Sequence, residues 1–328
     1  MTDEQNVDLV LEGGGVRGIA LLGAVLRLAD EGYRFPRIAG TSAGAIVAAF
    51  VVAHQRAGRD LHGLEEVLRR APLAELVDEP ALQRATGPVG DGVALLLQNG
   101  MHDTARLTGW LASELAAVGV HTFADLRLPP DPDTSLEPYQ RYALVVHTSD
   151  LTRRVLARLP WDYDRYDLVA DDQRVADAVC ASAATPFFFR PVQQRTGRGV
   201  ATWVDGGLLS NFPITVFDRT DDRGPRWPTW GIKLSGAPVE RPDEAVRTPL
   251  GIAVASLRTL MNDEANRYHL EEEGVNRRTI FVDTDDIPAL DFSLTEADQD
   301  ELFRRGTRAA ETFLERMGRR RGAVTRPE

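Results

Sequence analysis

Short apolar runs and longer amphipathic stretches alternate from the first residues of the chain. Val7-Asp8-Leu9-Val10-Leu11 is apolar enough for a buried strand. Arg17 to Glu31 carries Ile19, Leu22, Val25, Leu26 and Ala29 nearly all round a helix and meets Gly32, a helix stop. Arg37–Thr41 reads as a short strand, and Ala43–Ala57 as a second, deeply buried helix halted by Gly58. Residues 59–130 read as helical with breaks at Pro72, Pro80, Gly87, Pro88 and Gly100, closing on an exposed Pro129-Pro130-Asp131-Pro132-Asp133 loop. Arg141–Thr148 returns to strand, and Val175–Ala184 is a helix that must end before Pro186. Thr202–Asp205 and Trp230–Leu234 are further strands, Asp243–Glu273 is mainly helical, and Thr279–Asp283 is a late strand. Ser293-Leu294-Thr295-Glu296 has capping-box spacing and opens an amphipathic helix to about Met317. This alternation favours an α/β fold with a parallel sheet covered on both faces. With no repeat and no visible boundary, one domain over 1–328 is expected, with a helical insertion at about 59–130 and a C-terminal helix at about 295–317.

Composition narrows the classes. A chain of 328 residues with 43% apolar and 27% charged content is ordinary for a globular protein. Its formal charge, 38 − 49 = −11, argues against a broad nucleic-acid-binding face. Lys233 is the sole lysine, so the positive charge is almost all arginine. Cys180 is the sole cysteine, which excludes an intramolecular disulfide framework and suits a reducing cytosol. Met1–Asn6 is polar and acidic, unlike a secretory signal. The longest uncharged apolar run, Ala43 to Ala53, is far short of the roughly 18–20 residues of a membrane span, so any membrane contact is expected to be peripheral to a cytoplasmic protein. The histidines lack metal-ligand spacing, and Asp171-Asp172 and Asp283–Asp286 read as solvated loops, so neither metal nor cofactor is expected. The Arg316, Arg319, Arg320, Arg321 and Arg326 tail reads first as helix-end charge, with anionic headgroups as the alternative.

Two glycine-punctuated turns carry the chemistry. Gly13-Gly14-Gly15-Val16-Arg17-Gly18 follows the first strand and supplies a row of backbone N–H groups at a helix start, where an oxyanion would be stabilised. It also matches a dinucleotide fingerprint, but the second strand ends in Gly40-Thr41-Ser42 and not in the acidic residue that motif needs. Gly40-Thr41-Ser42-Ala43-Gly44, between a strand and an apolar helix, has the form of a nucleophile elbow that projects Ser42. A serine hydroxyl needs a base to take its proton. Asp205 ends a strand within Trp203-Val204-Asp205-Gly206-Gly207, whereas no histidine sits in a comparable turn, which favours a serine–aspartate pair. His147 and His269 remain the other candidate bases.

These motifs, in this order, resemble the patatin-like phospholipases, whose signature is a G-G-G-x-R-G turn, a G-x-S-x-G serine and a later D-G-G aspartate. The resemblance is strong from 7 to 217 and weak over 60–100 and 236–275. It extends to Gly100–Asp103, Thr122–Leu126, Ala181–Phe189 and Leu294–Leu314. It implies a three-layer α/β/α fold with a mainly parallel central sheet, and hydrolysis of fatty acyl esters, most of all phospholipids. Ser42 would be the nucleophile and Asp205 the general base. Gly13, Gly14, Gly15, Arg17, Gly18 and Ala43 would form or support the oxyanion hole, and Gly40, Gly44, Gly206 and Gly207 would shape the turns. Alternatives within the resemblance are a general carboxylesterase, an acyltransferase, and a latent effector needing an activating ligand or partner. The substrate pocket is expected from residues 73–115 and 187–190, with Leu95-Leu96-Leu97 and Phe187-Phe188-Phe189 as core or acyl-channel residues.

Overall fold

The computed structural model describes residues 5–72, 104–131, 136–186, 188–219, 223–234, 273–289 and 293–324, together with Ile252, Ala255, Ser256, Thr259 and Asp291, and side chains as far as Gly318. Leu95–Leu97, Phe187, His269, Arg326 and nearly all of the 243–273 stretch lie outside the described residues.

The chain begins with β1 (Gln5–Asn6), β2 (Asp8–Leu11), α1 (Gly18–Asp30), β3 (Tyr33–Arg34), β4 (Ile38–Thr41) and α2 (Ala43–Arg56). Then follow α3 (Gly63–Arg69), α4 (Ala105–Ala117), β5 (Leu144–Asp150), β6 (Val155–Leu159), α5 (Val175–Ser182), β7 (Val192–Thr196) and β8 (Gly199–Asp205). The last elements are β9 (Thr229–Lys233), α6 (Glu273–Arg277), β10 (Thr279–Phe281) and α7 (Glu296–Val324). One sheet runs β10-β9-β2-β4-β5-β8-β7, with β6 also paired to β5. From β10 to β5 every pairing is parallel, while β6, β7 and β8 add an antiparallel half. Every residue of β2, β4, β5 and β9 is buried, so the central strands are covered on both faces, which gives the three-layer α/β/α arrangement.

Register brings the chemistry to one edge. Leu11 pairs with Gly40 and Thr41 with His147, so β2, β4 and β5 end near one level. Antiparallel β8 delivers its last residue to the same level, because Thr148 pairs with Asp205. The turns after β2, β4 and β8 therefore meet at the C-terminal edge of the parallel strands, where ligands bind in open α/β sheets. At the opposite edge, Arg37 holds Asp8 in a buried ion pair and stacks over Phe217 and Trp227 at 4.7 and 5.6 Å.

Three expectations change. The final helix runs to Val324, beyond Met317, and its capping box is Thr295 with Asp298: each side chain bonds the other's backbone N–H, at 3.2 and 3.0 Å. Ser293 instead donates to Asp291 at 2.5 Å, because helical geometry starts at Glu296. Of the expected insertion, the described residues hold α3, α4 and a 3₁₀ turn at Phe123–Leu126, and 73–103 lie outside them. Strands β6 and β7, absent from the expected set, extend the sheet on its polar side.

Candidate active site

The elbow is sterically over-determined. Ser42 sits at φ 51° and ψ −122°, a conformation that costs a non-glycine residue on the order of 1–3 kcal/mol and persists only where its surroundings enforce it. Those surroundings are tight: a Cβ on Gly40 would lie 2.4 Å from the Gly44 carbonyl oxygen, and one on Gly44 2.3 Å from that of Leu11. Helix α2 receives the turn, its Ala45 and Ile46 amides donating to the Ser42 carbonyl at 2.9 and 3.2 Å. The Ser42 amide donates to Ser182 Oγ at 2.9 Å, and that hydroxyl donates to the His147 carbonyl at 2.6 Å. The serine is thus pinned from α5 and β5 as well as from its own strand and helix.

Asp205 is wholly buried and faces this turn. Its Oδ2 accepts from Ser42 Oγ at 2.8 Å and from Thr185 Oγ1 at 2.8 Å, and its Oδ1 accepts from the Gly207 amide at 2.8 Å. The Asp205 amide donates to the Ala184 carbonyl at 2.9 Å, which fixes the carboxylate against the end of α5. Burial pushes its pKa up from 3.8 to about 6, against the opposing pull of the Gly207, Ser42 and Thr185 hydrogen bonds. At neutral pH it is still mainly ionised, yet more basic than an exposed carboxylate. His147 is buried too, and desolvation pushes its pKa down to about 4. It meets the site through its backbone carbonyl, while the Ser42 hydroxyl is on Asp205.

The glycine-rich turn divides its amides. Gly13 exchanges bonds with Asn211, amide to carbonyl at 3.2 Å and carboxamide to carbonyl at 3.2 Å. The amides of Val16, Arg17 and Gly18 donate to Ala289, Gly14 and Gly15 carbonyls. Those of Gly14, Gly15 and Ala43 donate to no protein group among the described residues. The Arg17 guanidinium reaches the carbonyls of Gly14 and Leu234 at 3.2 and 3.4 Å and Thr284 Oγ1 at 3.2 Å, so it braces the loop from below. Glu12, just ahead of the turn, is buried in an ion pair with Lys233, and its other oxygen accepts from the Leu234 amide at 2.6 Å. The sole lysine is therefore a structural tie between the ends of β2 and β9.

A cavity of about 160 Å³ adjoins both turns, bordered by Gly15, Gly18 and Ala43 and by the apolar side chains of Ile46, Leu68 and Trp110. Of the walls expected from 73–115, Trp110 is in place and 73–103 lie outside the described residues; the other walls come from the first glycine turn, α1, α2, the end of α3 and the segment around the start of α7. Phe188 and Phe189 belong to the core. Among the other acidic and basic candidates, Asp171 accepts from the Tyr142 hydroxyl at 2.6 Å, Asp286 pairs with Arg305 at 2.5 Å and Arg316 donates to the Thr279 carbonyl at 3.2 Å, while the side chains of Arg319, Arg320, Arg321 and Arg326 lie outside the described residues. Among the described residues no cluster of three metal-ligating side chains occurs.

Sequence reasoning placed Ser42, Asp205 and both glycine turns in one site, but it missed Thr185, Ser182, Asn211 and Glu12. Thr185 and Ser182 lie in the Ala181–Phe189 run and Asn211 six residues past Asp205, yet nothing in their type or spacing announces a hydrogen bond to a particular partner.

The sequence profile described as Patatin-like phospholipase matches residues 9–218. The protein named YqhO of Bacillus subtilis (strain 168), itself uncharacterised, is 36% identical over 309 residues, covering 94% of this chain and 98% of its own. Among solved structures, VipD from Legionella pneumophila aligns with a TM-score of 0.51 at 17% identity, over 95% of this chain and 67% of that one. A chain of the heterodimeric ExoU–SpcU complex from the type III secretion system of Pseudomonas aeruginosa aligns with a TM-score of 0.51 at 19% identity, over 94% of this chain and 51% of that one. This chain thus spans about half the length of that neighbour, and at such identities both likenesses concern the fold. The profile match, over well more than half of the chain and across both glycine turns and the aspartate, makes this protein a member of the patatin-like phospholipase family.

Proposed function

We propose that the protein hydrolyses fatty acyl ester bonds of phospholipids through a Ser42 acyl-enzyme, with Asp205 as general base. As Ser42 Oγ attacks the ester carbonyl carbon, its proton passes to Asp205 Oδ2. The carbonyl oxygen becomes an oxyanion, received by the amides of Gly14, Gly15 and Ala43. Collapse of the tetrahedral intermediate breaks the ester C–O bond, and the leaving alcohol takes the proton from Asp205. Water then gives a proton to Asp205 and attacks the acyl carbon; the Ser42 oxygen leaves and recovers that proton. The acyl chain lies in the apolar cavity beside the two turns.

The observation that carries this reading is the 2.8 Å contact between the hydroxyl at a strained elbow and a buried carboxylate. Fatty-acid release from phospholipid vesicles by wild type, Ser42→Ala and Asp205→Asn tests it. Both variants are expected to lose on the order of 10³-fold or more in kcat. Wild-type activity confined to short soluble esters would replace the phospholipid reading with that of a carboxylesterase. Activity surviving in Asp205→Asn would remove the aspartate from its role.

A further inference from the structure

The two hairpins beside the catalytic aspartate are rich in arginine. Leu151-Thr152-Arg153-Arg154-Val155 turns from β5 into β6, and Gln193 to Val200 turns from β7 into β8. Together these segments hold four arginines, Arg153, Arg154, Arg195 and Arg198, and no carboxylate, in a protein of net charge −11. They form one surface, because the Leu151 amide donates to the Thr202 carbonyl at 2.9 Å and the Thr202 amide to Thr152 Oγ1 at 2.9 Å. Arginine is accompanied there by exposed aliphatic side chains: Leu151 is 46%, Val155 41% and Val200 52% exposed. Arg154 and Arg195 are exposed and have no ionic partner among the described residues, while Arg198 makes only an exposed pair with Asp167 at 3.4 Å.

Strand direction aims this surface. Asp205 is level with Thr148, and Trp203 with Asp150, so both hairpins continue past the edge where Ser42 and Asp205 lie. Val200 stands five residues before Asp205 on β8, about 17 Å further out at roughly 3.3 Å per residue. Leu209, 49% exposed, follows in the turn after Asp205 and adds an apolar rim beside the dyad.

We propose that these hairpin tips are a docking surface for an anionic lipid bilayer, holding the catalytic edge against the lipid; the inference rests on the phospholipid reading above. A molecule of net charge −11 is repelled by an anionic surface as a whole. Charges beyond about 8 Å are screened at physiological salt, so the face presented decides the outcome. A face with four arginines against the one exposed carboxylate that pairs with them, Asp167, and with three exposed aliphatic groups, combines the attraction and the shallow insertion that peripheral binding requires. Edge-strand arginines also discourage sheet-to-sheet association, but that role asks nothing of the exposed Leu151 and Val200.

Co-sedimentation with vesicles of phosphatidylcholine alone, and of equal parts phosphatidylcholine and phosphatidylglycerol, tests this, with Ser42→Ala as the background so that no lipid is consumed. The parent is expected to prefer anionic vesicles and to lose them in high salt. Arg154→Glu/Arg195→Glu is expected to bind at least about tenfold more weakly, and Leu151→Ser/Val200→Ser to bind anionic vesicles more weakly as well. In the wild-type background both pairs are expected to keep hydrolysis of a short soluble ester, which shows that fold and dyad survive. Unchanged vesicle binding by the charge-reversed pair, or equal binding to both vesicle types, overturns the proposal. Arginine-dependent binding without phospholipid hydrolysis by the wild type would leave this surface standing and remove the phospholipase reading. The converse result removes the surface alone.

Discussion

At the residue scale, burial makes the Asp205 carboxylate more basic and hydrogen bonding limits the effect. In the proposed mechanism Asp205, its pKa raised to about 6, works as a base only when ionised, so kcat/KM for a neutral ester should rise with pH through about 6 and level off above it. The same shift bears on stability. The folded protein holds the Asp205 proton more tightly than the unfolded chain, so this stabilising contribution is complete below 3.8 and lost as pH rises through about 6. Its full size is about 3 kcal/mol. Asp205→Asn, which removes the titration, should therefore gain in Tm relative to wild type between pH 4 and pH 7; thermal scans at both ends of that range check it. Thr185 donates to the same carboxylate oxygen as Ser42. Thr185→Val should move the acid limb of the pH profile upward and reduce kcat/KM by about tenfold, the worth of one hydrogen bond to a charged group, and Thr185→Ser should restore both. A profile unmoved by Thr185→Val would show that the hydroxyl does not tune Asp205.

At the element scale, close approaches of backbone set the geometry. Helices α1 and α7 cross where neither side has a Cβ: one on Gly306 would lie 1.9 Å from the Ala20 carbonyl oxygen, and one on Gly23 2.3 Å from that of Phe303. Gly306→Ala should destabilise the fold by about 1–3 kcal/mol, as overpacking does, measured by urea unfolding; an unchanged midpoint would mean the helices separate without cost. Much of this layer was legible in the sequence. The mainly apolar runs of β2, β5 and α2 and the glycine stops after α1 and α2 follow from periodicity and backbone freedom, and their observed bounds differ from the expected ones by one to three residues. What was not legible is polar or short. Strand β7 is Val192-Gln193-Gln194-Arg195-Thr196 at the sheet edge, with only partial burial, and β6 begins beside Arg153 and Arg154. An edge strand such as β7 is recruited by pairing with a neighbour and leaves no hydrophobic signature, while the five residues of β6, four of them apolar, are too short a run to be told from a turn's flank. The capping box moved by two residues for a related reason: Ser293 and Thr295 offer the same chemistry, and only the packing of α7 decides between them.

At the scale of the whole molecule, the two edges of the sheet have separate tasks. One collects the strained serine, the buried carboxylate and amides that have no protein partner among the described residues; the other is closed by the Asp8–Arg37 pair. Removing one member of a buried pair leaves an uncompensated charge, so Arg37→Met should cost about 3–5 kcal/mol in unfolding free energy while the folded enzyme keeps its kcat/KM. A matching loss of kcat/KM would mean that the edges are coupled. The dyad itself is tested most directly by the rate of covalent labelling with a fluorophosphonate, followed by intact mass and peptide mapping from pH 4 to pH 8. A single adduct on Ser42 is expected, forming faster as pH rises through about 6, absent in Ser42→Ala and slowed on the order of 10³-fold in Asp205→Asn. Labelling that persists in Ser42→Ala, or proceeds at the wild-type rate in Asp205→Asn, would contradict a serine activated by this aspartate.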